Sequence, residues 1–200
     1  LEVLNKWKAK QAAEKPVMVF INVSGGGLRS SAFTMYALQQ LDSMMQGKLM
    51  QQTFLISGAS GGMLSAAYYR ELYRKKLKDN SLNLYDQKYV DAITGDLLNP
   101  IFSSMMARDL MASTQKFSVG DLKYLKDRGY AFEKKLAANT GGILDIQLKD
   151  VAADEQNANV PLIFFNSVIK NDGRKMILST LPVSFMMKPK QMQLDPNEGA

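Results

Sequence analysis

Pro16-Val17-Met18-Val19-Phe20-Ile21-Asn22-Val23-Ser24-Gly25-Gly26-Gly27-Leu28-Arg29-Ser30 is the segment from which the architecture can be built. Its first half is a continuous apolar run with β-branched residues. That pattern reads as a strand buried on both faces, as in a parallel sheet. Its second half is a glycine turn, after which Ala32, Phe33, Tyr36, Ala37, Leu38, Leu41 and Met45 recur at helical spacing. The spacing predicts a helix from Ser30 to Met45 with these residues on its apolar face and Gly47 as its stop. The pattern then repeats. Thr53-Phe54-Leu55-Ile56-Ser57 reads as a second buried strand and Gly58-Ala59-Ser60-Gly61-Gly62 as a tight turn. Met63 to Lys78 reads as a helix with Leu64, Ala67, Tyr68, Leu72 and Tyr73 on its apolar side. Strand, helix, strand, helix makes a βαβα unit with parallel strands and a right-handed crossover.

The remaining chain is less regular. Residues 80–129 lean towards helix, interrupted at Gly95, Asn99-Pro100 and Gly120. They hold an apolar stretch rich in methionine: Leu97, Leu98, Ile101, Phe102, Met105, Met106, Leu110 and Met111. Methionine adapts to irregular apolar surroundings, so Met105, Met106 and Met111 suit either an acyl-chain pocket or a core, and Met44 and Met45 a core. Ser118-Val119-Gly120-Asp121 is expected to cap a short helix through Ser118 or Asp121. Phe132 to Ala138 is again helical, ended by Gly141-Gly142. Pro161 to Val168 is a further strand. Asp172-Gly173 lies between it and the apolar run from Lys175 to Ser179, a hairpin signal.

Composition narrows the chemistry. At 200 residues, 46% apolar and 22% charged, the chain suits one domain or most of one. It contains no cysteine and no histidine, which removes disulfides, thiolate metal sites and imidazole bases. No metal or organic cofactor is expected. No apolar run is long enough to span a bilayer, and the first residues lack the apolar stretch of a signal peptide. A cytoplasmic or membrane-associated location is the working expectation. Residues 1–15 read as a helical lead-in and 16–200 as the domain proper. The chain begins at Leu1 and stops at Asn197-Glu198-Gly199-Ala200, as a piece cut from a longer protein would.

The net charge is +6. Basic residues gather at Arg70, Arg74, Lys75, Lys76 and Lys78, and again at Lys123, Lys126, Arg128, Lys134 and Lys135. Such clusters are most simply solvated helix faces. They also suit peripheral contact with an anionic membrane surface. No interleaving of basic and aromatic residues marks a nucleic-acid partner.

The glycine turns carry the chemistry. Gly58 to Gly62 has the G-x-S-x-G spacing of a nucleophile elbow, in which a serine stands on a sharp strand-to-helix turn. The alternative is a turn and nothing more, but the flanking strand and helix favour Ser60 as a nucleophile. Gly25, Gly26 and Gly27 let the backbone approach a ligand and aim N–H groups at one point. That suits an oxyanion hole or a phosphate cradle. Two such turns after consecutive parallel strands share the sheet edge where ligands bind in open α/β folds. Arg29 suits charge balance at an oxyanion, a substrate phosphate, or a structural ion pair.

Ser24-Gly25-Gly26-Gly27-Leu28-Arg29 followed by Gly58-Ala59-Ser60-Gly61-Gly62 resembles the patatin-like phospholipase family and its relatives, the cytosolic phospholipases A and lysophospholipases. The resemblance is clearest over residues 16–78. It implies an α/β fold with a mostly parallel sheet sandwiched between helices. It also implies hydrolysis of phospholipid or other acyl-ester lipids, with Ser60 as nucleophile and Gly25, Gly26 and Gly27 as the oxyanion hole. The base it implies is an aspartate, without histidine, in an Asp-Gly-Gly or Asp-Gly-Ala motif. This chain has neither motif. Its downstream Asp-Gly, Asp172-Gly173, falls in the expected hairpin, which speaks against Asp172 as the base. The expectation is a catalytic aspartate beyond Ala200. Two rivals stand beside this reading. A nucleotide-binding domain would need a third glycine where Ser30 stands, or a G-K-[ST] that is absent. A catalytically inactive lipid-binding or scaffold member would keep the fold without the chemistry.

Overall fold

The computed structural model describes residues 1–111, 115–169, 171–183 and 186. Helix α1 (Glu2–Ala9) leads into β1 (Val19–Val23), α2 (Gly27–Met44), the single turn α3 (Leu49–Gln52), β2 (Thr53–Gly58) and α4 (Ser60–Lys76). After α5 (Gln87–Thr94), α6 (Leu98–Ser104) continues into a π-helical segment, Met105–Leu110. The strands β3 (Lys116–Val119) and β4 (Leu122–Leu125) precede α7 (Arg128–Asn139) and α8 (Leu148–Gln156). Last come β5 (Leu162–Val168) and β6 (Lys175–Leu178).

The main sheet has the order β1-β2-β5-β6. β1, β2 and β5 are parallel, and β6 returns antiparallel to β5. The fold is α/β, a mixed and mostly parallel sheet flanked by helices. Val23 is level with Gly58, and Gly58 with Phe165, so three strands end on one edge. Both glycine turns leave from that edge.

Helix α4 is the centre of the molecule. From Gly61 to Leu72 every residue except Leu64 is buried. A helix buried all round packs against neighbours on every side. Met63, Tyr68, Tyr69 and Leu72 join Met35 and Leu38 of α2, Ile56 of β2 and Ile163 of β5 in one core. α1 docks through Trp7, whose ring stands edge-on to Phe54 at 6.0 Å.

Several expectations need correction. β1 starts at Val19 and alternates half-buried with exposed residues, so it is not buried on both faces. It is an edge strand, and its face carrying Phe20 and Asn22 is open, with Phe20 61% exposed. Helix α2 starts at Gly27 and is turned away from its expected face. It buries Ser31, Thr34, Met35, Leu38, Gln39 and Asp42 and exposes Phe33, Tyr36, Leu41 and Met44. The reason is polar pairing. Asp42 accepts hydrogen bonds from the hydroxyls of Tyr69 (2.8 Å) and Tyr85 (3.1 Å) and from the Leu49 N–H (3.0 Å). Gln39 donates to the Leu84 and Asp86 carbonyls. These bonds repay the burial that an amphipathic pattern would forbid. Met44, expected in the core, is therefore outside, while Met45 packs against the core's margin.

Ser118 to Asp121 cap no helix. Gly120, at φ 57°, and Asp121 form the turn between β3 and β4. The two-residue alternation of Phe117 and Val119 with Tyr124 and Leu122 opposite them is a strand signal. Arg70 is not on a solvated face either. It is 2% exposed and is paired with Glu71 and Glu155.

Candidate active site

Ser60 sits where β2 turns into α4, and it is exposed. Its φ is 57°, in the left-handed region. Among the described residues two other non-glycine residues share that region, Gln46 and Ala158, and both follow the C-terminus of a helix. A left-handed residue ends helices routinely. At the start of a helix it serves no capping purpose and costs on the order of 1 kcal/mol. The surrounding structure holds that strain in place.

Four glycines fix the turn by close approach. A Cβ on Gly58 would lie 2.3 Å from the Val23 carbonyl oxygen of β1. One on Gly61 would lie 2.1 Å from the Gly27 oxygen, and one on Gly62 2.4 Å from the Ser24 oxygen. One on Gly25 would lie 3.1 Å from the Ser60 Cβ and 3.5 Å from its Oγ. The glycine loop after β1 is thus pressed directly against Ser60 and the first turn of α4. Gly26 (φ 140°) and Gly27 (φ 61°) adopt backbone that other residues rarely take.

Serines lock the two helix starts together. The Ser30 hydroxyl donates to the Ser24 carbonyl at 2.8 Å. The Ser31 hydroxyl donates to the Gly61 carbonyl at 2.7 Å, and the Ser65 hydroxyl to the Ser31 carbonyl at 2.8 Å. α2 and α4 therefore point their N-termini, with unpaired N–H groups and positive dipole ends, into the same region.

That region opens into a cavity of about 670 Å³. Ser60, Gly26, Gly27, Gly58 and Gly61 line its polar end. Leu28, Met63, Leu64, Leu97, Leu98, Ile101, Phe132 and Phe165 line the rest. Its size and apolar walls suit a small ligand or an acyl chain. Gly25 touches Ser60 from behind without lining the cavity. Met105, Met106 and Met111 do not line it, and Met106 and Met111 are exposed, so these two are neither pocket wall nor core.

Arg29 is the single charged residue among those lining the cavity. It is exposed and has no carboxylate partner among the described residues. Among the described residues no carboxylate lines the cavity. Asp172 lies in the turn between β5 and β6, where the Arg174 guanidinium holds it at 2.7 Å and keeps its carboxyl below the usual range. Asn166, which sequence reasoning passed over, does line the cavity and donates to the Ser57 hydroxyl at 3.0 Å. A polar side chain interrupting an apolar run at the C-terminal end of a parallel strand is the signal that marks it. Among the described residues no cluster of carboxylates could hold a metal ion.

A scan of protein-family models and searches of curated proteins and of solved structures each return no match.

Proposed function

We propose that this chain carries the nucleophile and oxyanion-stabilising elements of a serine esterase acting on acyl-ester lipids, of the patatin-like kind. The observation that carries the reading is Ser60: strained, exposed, at the polar end of an apolar cavity, with a glycine loop packed against it. In the reaction, Ser60 Oγ attacks the ester carbonyl carbon while a base takes its proton. The carbonyl π electrons move to oxygen, and N–H groups of Gly26, Gly27 and Gly61 at the two helix starts offset the charge. Collapse of the tetrahedral adduct breaks the C–O bond, and the alcohol leaves with the proton held by the base. Water then repeats the sequence and frees the acid. The apolar walls hold the acyl chain, and Arg29 is placed to meet a phosphate on the substrate. The base is a carboxylate from outside the described cavity lining.

A second reading has its own support. Because no carboxylate among the described residues lines the cavity, the described site is equally suited to holding a lipid without cleaving it. Covalent labelling with a fluorophosphonate, read by intact mass, separates the two. Labelling that disappears in Ser60→Ala supports the esterase. Absence of labelling means that these 200 residues do not activate Ser60 by themselves, and leaves lipid binding as the activity they support alone.

A further inference from the structure

We propose that the outer face of α6 and the π-helical segment is a docking surface for an anionic bilayer, placed at the mouth of the cavity. The proposal rests on the cavity being an acyl site, and it names the surface from which that site is fed. Leu98, Phe102, Met106 and Leu110 fall every fourth residue along this stretch and share one side of it. They are 56%, 57%, 54% and 69% exposed. A soluble helix normally turns such a stripe inward. Here the inward side is taken by Leu97 and Ser104, 4% and 5% exposed, while α6 packs on α7.

Two observations say what covers the stripe. The first is continuity. Leu98 is both part of the stripe and part of the cavity wall, so the apolar surface runs from outside into the site. The second is charge. Residues 97–107 carry none, and Arg108, Lys134 and Lys135 line the groove between this segment and α7, while the acidic residues beside them in the sequence are Asp96, Asp109 and Glu133. Asp145 lies 3.6 Å from Lys134 and leaves it half-exposed. An uncharged apolar stripe flanked by cations is the composition that inserts side chains below the headgroups while pairing with anionic lipid. Among the described residues no helix is long and apolar enough to cross a membrane, so the contact is interfacial.

The test is cosedimentation with vesicles of phosphatidylcholine alone and of phosphatidylcholine mixed with phosphatidylserine. The protein carries Ser60→Ala, so turnover plays no part and the outcome is independent of labelling at Ser60. Binding to the mixed vesicles is expected, with at least tenfold or so weaker partitioning after Phe102→Glu with Met106→Glu. Lys134→Glu with Lys135→Glu is expected to abolish the preference for phosphatidylserine. Phe102, Met106 and Lys134 are exposed and Lys135 is half-buried, and circular dichroism checks that each variant folds. Two results overturn the proposal: no binding by the parent protein, or binding unchanged by Phe102→Glu with Met106→Glu. A concentration-dependent dimer that the same pair dissolves, without vesicle binding, overturns it in favour of a second copy as the occupant.

Discussion

Ser60 and the glycines around it show how a residue type is dictated by space as well as by backbone angle. Gly61 has ordinary backbone but no room, since a Cβ would meet the Gly27 oxygen at 2.1 Å. Gly27 has open space but a φ of 61°. Alanine should therefore cost about 3 kcal/mol at Gly61, where backbone must move, and about 1 kcal/mol at Gly27, where only the dihedral is strained. Urea unfolding of the two variants measures the difference, and equal costs would contradict the packing argument. Asp172→Asn makes a second contrast. Asp172 is outside the cavity lining and tied to Arg174, so fluorophosphonate labelling should persist at the parent rate in that variant. Loss of labelling would put Asp172 in the base's role. The glycine spacing was legible in the sequence because close approach and tight turns leave only glycine as a choice. Asn166 carried a signal too, a polar side chain breaking an apolar run near a strand's C-terminal end, but its partner Ser57 lies 109 residues away on another strand and could not be read from it.

At the scale of elements, the sequence was a good guide to where helices and strands lie over residues 16–78 and a poor guide to how they face, and it missed the β3–β4 hairpin and α8. The strands β2 and β5 and the order of the βαβα unit follow from apolar runs and glycine turns. The orientation of α2 does not, because its buried face is held by Asp42 and Gln39 bonding to partners on other elements. Arg70 is the same lesson in charge. It looks like part of a basic face, but it donates to Glu71 and to Glu155 of α8, 85 residues away, and to the Pro161 carbonyl just before β5. Glu155 also accepts from the Thr180 hydroxyl. This cluster fastens α4 to α8 and to the sheet. Removing one member leaves a buried charge poorly paired, so Arg70→Met should cost about 3 kcal/mol. Combining it with Glu155→Leu should cost clearly less than the two single changes added, because the stranded charge goes as well. A double-mutant cycle from denaturant unfolding reads this directly, and simple additivity would mean that the pair is not coupled.

Across the whole molecule, burial around α4 sets how the fold responds to alkali. The chain has eight tyrosines. Burial pushes the Tyr68 phenol up to about 12, with the neighbouring Tyr89 adding to it. Burial also raises Tyr69, Tyr73 and Tyr85, and each lies near the Asp42 carboxylate, which opposes a second negative charge. The protonated phenols are thus favoured by the folded state. A group whose folded value is raised lends stability that is complete below its unfolded value, about 10 for tyrosine, and that is withdrawn as pH rises through the folded value. The fold should therefore be insensitive to these groups up to about pH 10 and lose stability steadily above it. Tyr68 and Tyr69, both fully buried, should ionise only in the narrow range where the far-ultraviolet circular dichroism collapses, because their protons cannot leave while α4 is packed on all sides. Ionisation of Tyr68 and Tyr69 near the ordinary tyrosine value, with the helical signal intact, would mean that α4 is not a sealed core. Tyr69→Phe gives the finer discrimination. It keeps the ring, removes the hydroxyl that donates to Asp42, and should delete one phenol from the ionisation that accompanies unfolding.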